Sequence, residues 1–98
     1  MIINVWASWC GPCRAMENKV FADPEIVKLS RQFLALRLDL TRRQPHQDKI
    51  LHRYGVKGVP TILFIDTEGR EVSSLRIQEF MDKKEFLQRM KKLLPKAH

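Results

Sequence analysis

The chain has 98 residues, of which 44% are hydrophobic and 30% are charged, and its formal net charge is +7. This length supports one hydrophobic core, so we expect a single domain over residues 1–98. No stretch approaches the roughly 18 consecutive apolar residues of a membrane span, and we expect no membrane insertion of this chain. Because the basic residues are dispersed and do not cluster with aromatic residues, we also expect no nucleic-acid partner.

The first half of the chain predicts two strands separated by two helices. Residues 2–7 are apolar at nearly every position, which is typical of a buried strand, and a helix should follow over residues 10–20. Asp23 and Pro24 predict the start of the second helix, with Asp23 as its N-cap. Residues 34–40 alternate leucine with smaller or polar residues, so they predict a strand near a sheet edge.

The second half begins with a short helix and a hairpin. The helix is predicted over residues 47–54, and Gly55 is well placed to end it in a left-handed conformation. Residues 61–66 and 71–77 then predict two antiparallel strands on either side of a turn that contains Gly69.

An amphipathic helix is the last predicted element. It starts at Asp82, with Glu85 three residues later as in a capping box, and Pro95 ends it. The order strand, helix, helix, strand, helix, strand, strand, helix indicates an α/β fold with a mixed four-stranded sheet and helices on both faces.

Both cysteines lie in the run Trp-Cys-Gly-Pro-Cys-Arg that follows the first strand. The start of a helix favours a thiolate, so we expect Cys10 to be an ionised, reachable nucleophile. Cys13 lies one turn into the helix and should point toward the protein body as the resolving thiol. A disulfide closing so short a loop adds little stability, which indicates that the pair serves chemistry.

Two of these motifs resemble the thioredoxin family. The run W-C-G-P-C after an apolar strand resembles its active site, and V-P-T at residues 59–61 resembles its cis-proline loop. The resemblance implies a thioredoxin-like fold in which this loop packs against the sulfurs and pairs with an extended substrate. It implies substrate binding by these residues: Trp9, Gly11, Pro12, Val59, Pro60 and Thr61.

The flanking segments resemble one branch of this family, the C-terminal thioredoxin-like domain of DsbD-type thiol:disulfide interchange proteins. Residues 17–25 and 78–82 carry this likeness. It implies a periplasmic location, as an excised domain of a larger or exported protein, with the cytoplasm as the alternative. The strand and helix that usually come first in the family are missing, so the 34–40 strand should become an edge.

The resemblance and the thiol chemistry together predict a thiol-disulfide oxidoreductase that reduces protein disulfides through a mixed disulfide with Cys10. The expected partners are protein disulfide substrates and an upstream dithiol electron donor. That donor would be a thioredoxin reductase or a membrane thiol-disulfide partner. The alternative function is a thioredoxin-like adaptor that binds extended polypeptide without catalysis.

Thioredoxins commonly place an acid six residues before the nucleophile, where it can assist proton transfer. This chain has Asn4 at that position, which cannot titrate, so that role is either vacant or filled by another group. Glu17 lies four residues beyond Cys13, on the same side of the helix, and we predict it as the catalytic carboxylate. The alternative is a glutamate that makes an ordinary helix contact.

A Cys-x-x-Cys pair also supplies half of a zinc site. The remaining soft or borderline ligands are three histidines without a paired spacing: His46, His52 and His98. The sequence therefore predicts no metal and no cofactor.

Overall fold

The computed structural model describes residues 1–94, which form a sheet of three strands flanked by helices. The strands are β1 (Ile2–Trp6), β2 (Ala35–Asp39) and β3 (Thr61–Phe64), in the spatial order β2-β1-β3. β1 pairs in parallel with β2 and antiparallel with β3. The apolar segment that opens the sequence is therefore the central strand. Its residues Ile2, Ile3 and Val5 are buried, which confirms the prediction of a buried strand.

The helices follow the predicted order, with one local difference. The first helical segment begins as an α-helix and continues as a π-helical turn over Glu17–Phe21. A single α-helix was predicted over residues 10–20. The four α-helices within residues 1–94 are α1 (Gly11–Met16), α2 (Pro24–Ser30), α3 (Gln47–Arg53) and α4 (Lys83–Leu93). The predicted helix end at Pro95 lies outside the described residues.

Local capping signals fix where these elements begin and end. Asp23 caps α2 and accepts a hydrogen bond from the backbone N–H of Glu25 at 2.9 Å. Asp82 caps α4 in the same way. Gly55 after α3 and Gly69 in the turn after β3 have φ values of 61° and 80°, which glycine adopts without steric cost. These four predictions are confirmed.

The prediction of a fourth strand over residues 71–77 is wrong. This segment meets the end of the sheet only through two isolated bridges, Ile65 with Glu71 and Ile62 with Ile77. Between these two bridges the chain advances three residues, from 62 to 65, on one side and six residues, from 71 to 77, on the other. The returning segment therefore has extra residues that cannot pair. They form a 3₁₀ turn over Ser73–Leu75, which buries Leu75.

Apolar side chains cover both faces of the sheet, which confirms the prediction of helices on both faces. One face packs against the helical segment 11–21, α2 and α4, and this larger cluster includes Met16, Val20, Ile62, Phe64, Phe86 and Met90. The other face packs against α3, and its cluster is formed by Ile3, Val5, Leu51, Leu63 and Ile65. We call these the helix-rich face and the α3 face.

β2 forms an edge of the sheet. In the part of the chain that the structure describes, no strand pairs with its outer side, as the sequence predicts. Leu34 just before β2 and Leu36 within it remain exposed on 64% and 44% of their surface. Within residues 1–94, no helix is both long and apolar enough to cross a bilayer.

Candidate active site

Cys10 and Cys13 form a disulfide at the start of α1. Their Cα atoms are 5.2 Å apart, within the usual range for a bridged pair. Cys10 is the N-cap residue, and its Sγ accepts a hydrogen bond from the backbone N–H of Cys13 at 3.2 Å. In the reduced protein, the same N–H and the helix start would stabilise negative charge on the Cys10 sulfur.

Both cysteines are buried in this disulfide form. Cys10 is 5% exposed and Cys13 is 4% exposed, and they form a small cluster with Ala7 at the end of β1. The sequence predicted an accessible Cys10 beside a sheltered Cys13, but burial does not separate the two residues here. Val59 and Trp6 pack against this cluster from elsewhere in the fold.

The loop before β3 lies beside the disulfide. The Val59–Pro60 peptide bond is cis, as the family resemblance implies. Val59 contacts the cysteine cluster, and Pro60 and Thr61 are buried. The hydroxyl of Thr61 donates a hydrogen bond to the carbonyl oxygen of Gly58 at 2.6 Å, which closes the loop on itself. The structure therefore brings residues 59–61 to the cysteines across nearly fifty positions of sequence.

An open groove connects this loop with Trp9. Trp9 is 67% exposed, and it forms one wall of a cavity of about 460 Å³ that Val59 also lines. The groove is lined by apolar residues and two basic ones, and its remaining lining residues were not predicted as site residues. They are Leu40, Arg43, Leu51, Val56, Lys57 and Gly58.

Gly11 and Pro12 are the first two residues of α1, and both are exposed between the cysteines. Pro12 suits this position because its missing N–H has no partner in the first turn of a helix. A Cβ atom added to Gly11 would meet nothing within 4 Å. The surface at Gly11 is therefore open.

The loop that leads into Cys10 is tied to the end of β2. Asp39 accepts a hydrogen bond from the backbone N–H of Thr41 at 2.8 Å, and the Thr41 hydroxyl oxygen accepts one from the backbone N–H of Ser8 at 2.8 Å. Hydrogen bonds from the side chain and backbone of Thr41 lower the pKa of Asp39. The ionised carboxylate thus helps to hold the chain just before the nucleophile.

Glu17 lies at the start of the π-helical turn and reaches across to β2. Its Oε1 is 2.9 Å from Nη1 of Arg37, with which it forms an ion pair. The guanidinium carbon of Arg37 lies 3.5 Å from the ring centroid of Trp6. Arg37 was not predicted as a site residue. Its alternation with the leucines of residues 34–40 indicated only that it lies on the opposite face of the strand from them.

Within residues 1–94, no group of three or more His, Cys, Asp or Glu side chains is placed to hold an ion. His98 lies outside the described residues.

The fold, the Cys10–Cys13 pair and the adjacent cis-proline loop define a thioredoxin-like protein. The family model for the Thioredoxin-like domain matches residues 1–94, and the chain belongs to this family.

Among curated proteins, the chain is similar to the thiol:disulfide interchange protein DsbD of Photorhabdus laumondii, with 32% identity over 93 residues. DsbD of Haemophilus influenzae strain Rd is similar to the same degree. Each alignment covers 95% of this chain but only 16% of the relative. The chain therefore spans about a sixth of the length of these relatives.

Solved structures show the same fold. The C-terminal domain of Neisseria meningitidis DsbD in its reduced form superposes with a TM-score of 0.84 at 19% identity, covering 96% of this chain and 80% of that one. A thioredoxin from Thermus thermophilus gives a TM-score of 0.76 at 23% identity, covering 93% of this chain and 70% of that one.

Proposed function

We propose that this chain is a thiol-disulfide oxidoreductase that reduces protein disulfides through Cys10 and Cys13. The observation that carries the proposal is the disulfide at the N-cap of α1, packed against the cis Val59–Pro60 loop. An N-capping sulfur that receives a backbone N–H is stabilised as a thiolate once the bond is reduced. The neighbouring groove offers Trp9 and Val59 to an extended substrate.

Reduction of a partner proceeds in two exchange steps. The Cys10 thiolate attacks one sulfur of the partner disulfide, so a mixed disulfide forms while the partner's second sulfur leaves as a thiolate and takes up a proton. Cys13 then loses its proton and attacks the Cys10 sulfur. The Cys10–Cys13 bond forms, the mixed disulfide breaks, and the partner's first sulfur leaves and is protonated. Two electrons pass to the partner, and the chain ends in the disulfide form described above.

Glu17 is the proposed base for the proton of Cys13. It follows Cys13 by four residues, one turn along the helical segment, and Asn4 on the neighbouring strand has no titratable group. We expect Glu17→Gln to slow resolution of the mixed disulfide in single-turnover experiments. Unchanged rates between about pH 6 and pH 9 would remove Glu17 from the mechanism.

The partners follow from the same relatives. DsbD is a thiol:disulfide interchange protein by name, and we propose that this chain likewise exchanges disulfides with protein substrates. It then needs an upstream dithiol donor to return the pair to the reduced form. The similarity to DsbD favours a membrane thiol-disulfide partner over thioredoxin reductase as this donor, and it favours the periplasm as the location.

Reduction of insulin with dithiothreitol as electron source tests the proposed activity against the adaptor alternative. We expect the wild-type chain to accelerate insulin precipitation and Cys10→Ser to abolish that acceleration. Cys13→Ser retains the nucleophile but lacks the resolving thiol, so we expect it to accumulate a mixed disulfide that mass spectrometry detects. Wild-type chain that binds a peptide without any turnover would support the adaptor.

A further inference from the structure

We propose that Arg37 is a positioning residue for the thiol chemistry: held between Trp6 and Glu17, its guanidinium places a positive charge on the indole that packs against the cysteine cluster, and this charge favours the thiolate of Cys10. The inference rests on the proposed function, because it concerns the nucleophile of that reaction. Arg37 lies on the edge strand β2, and its Cα is paired with that of Asn4 on β1.

Two contacts fix the Arg37 side chain, although 43% of it is exposed. Nη1 donates a hydrogen bond to Oε1 of Glu17 at 2.9 Å, and the guanidinium carbon lies 3.5 Å from the Trp6 ring centroid. A planar guanidinium can stack on an indole and bind a carboxylate at the same time, whereas an ammonium group cannot do both equally well. The charge is therefore held in one place.

Trp6 connects this charge with the dithiol. The guanidinium of Arg37 lies over the indole ring of Trp6, and Trp6 also packs against the cluster of Ala7, Cys10 and Cys13. Its Nε1 is buried and has no hydrogen-bond partner within residues 1–94. The indole therefore joins Arg37 to the cysteine cluster through apolar contacts. Apolar material screens a charge less than water does, so we expect the guanidinium to act on the stability of a thiolate in that cluster.

Arg37 also offsets the negative charge of Glu17. The two side chains form a neutral pair, so removal of either one leaves the charge of the other uncompensated. Removal of Arg37 should disfavour the thiolate, and removal of Glu17 should favour it. Removal of both charges should leave the electric field at the Cys10 sulfur close to that of the wild type. A purely structural role of the pair does not predict this result.

Other charged groups surround the same region. Arg14 lines a recess of about 270 Å³ together with Trp6, Glu17 and Arg37, and Asp39 follows Arg37 on the same face of β2. Arg37 contributes to the lowered pKa of Asp39, after the larger effect of the Thr41 hydrogen bonds. All variants below retain Arg14 and Asp39, so a comparison among them isolates the Arg37–Glu17 pair.

The test measures alkylation of reduced Cys10 by iodoacetamide as a function of pH, with Cys13 replaced by serine throughout. For Arg37→Gln we expect an alkylation rate about two- to fivefold lower near neutral pH and an unchanged rate at high pH, where the thiolate is fully formed. We expect a higher rate near neutral pH for Glu17→Gln, a rate close to the wild type for the double variant, and partial recovery for Arg37→Lys. Arg70→Gln is the matched control, since it also removes one charge and one ion pair, with Glu68 in the turn after β3.

A second measurement, on chains that retain both cysteines, is the equilibrium of the dithiol with glutathione. We expect Arg37→Gln to shift this equilibrium toward the disulfide, because the reduced form loses a stabilised thiolate. The inference is wrong if Arg37→Gln matches the wild type in both measurements, as the control Arg70→Gln should. It is also wrong if Arg37→Gln and Glu17→Gln change the alkylation rate in the same direction. A wild-type chain that alkylates as expected but reduces no insulin would overturn the proposed function instead.

Discussion

Leu36 and Leu63 lie in one row of the sheet, on either side of Ile3, and on the same face. Their Cα atoms pair with that of Ile3 from β2 and β3 respectively. Leu63 is completely buried, whereas Leu36 is 44% exposed. Two leucines in equivalent positions are thus buried to different extents. The bridged segment 71–77 and α3 pack around β3, whereas β2 is an edge of the sheet. Burial here depends on what covers a strand rather than on the strand's own residues.

The next row shows the same contrast in a way that concerns function. Asn4 pairs with Ile62 of β3 on one side and with Arg37 of β2 on the other. Ile62 belongs to the core of the helix-rich face, and Arg37 remains partly exposed. The open edge therefore allows a charged side chain to lie on Trp6 at the end of this row, which a fully packed row would exclude.

The largest expected effect in this comparison is that of Leu63→Ala. The side chain is fully buried in the cluster of the α3 face, so its truncation should lower the free energy of unfolding by about 2–5 kcal/mol. Urea denaturation of the oxidised chain measures this loss. A loss similar to that of the matched variant Leu36→Ala would contradict the difference between the two edges.

Leu36→Ala should have a much smaller effect. Because nearly half of the side chain already contacts water, we expect a loss of less than about 1 kcal/mol under the same conditions. A loss above about 2 kcal/mol would mean that something covers the outer side of β2 in solution. Sedimentation equilibrium would then show whether that cover is a second copy of the chain.

The smallest effect concerns the helices of the helix-rich face. Lys83 at the start of α4 forms ion pairs with Asp23 and Glu25 of α2.

Partial burial raises the pKa of Asp23, but hydrogen bonds from Lys83 and from the backbone lower it by more, so the pKa of Asp23 is lowered overall. Hydrogen bonds to Glu25 and then to Asp23 raise the pKa of Lys83. The stabilisation from Asp23 is thus present above its unfolded pKa and is lost as pH falls through the folded value. The stabilisation from Lys83 is present below its unfolded pKa and is lost as pH rises through the folded value.

We therefore expect Lys83→Gln to lower the unfolding temperature slightly near neutral pH, with a difference from the wild type that shrinks toward strongly acidic and strongly alkaline pH. Differential scanning calorimetry across this range checks the prediction. Lys91→Gln, near the other end of α4, is the control. A difference that stays constant with pH would show that the ion pairs do not cause it.

Much of the fold was predictable because its signals are local. Asp23 and Asp82 cap helices, and Gly55 and Gly69 adopt positive φ, for reasons that involve only a few neighbouring residues. The failed prediction is the fourth strand. Residues 71–77 have the apolar content of a strand. Whether they pair with β3 depends on how many of them lie between the two bridges, and the apolar pattern does not report that number.

The candidate site divides in the same way. The spacing of Cys10 and Cys13, with a helix start between them, was sufficient to predict the disulfide pair. The groove residues Leu40 and Val56 were missed, because ordinary apolar residues give no sign of which cavity they will line. Arg37 was missed because a single cation on an alternating strand is typical of a solvated face.

By itself the sequence determined the redox pair, the ends of most helices and the apolar character of β1, since these depend on residues close together along the chain. Only the tertiary structure decided that Val59 contacts the cysteines, that Arg37 reaches Trp6 and Glu17, and that one leucine of a row is buried while its counterpart is exposed. The physical reason is that those contacts join distant segments, whose approach is set by the packing of the whole sheet and its helices.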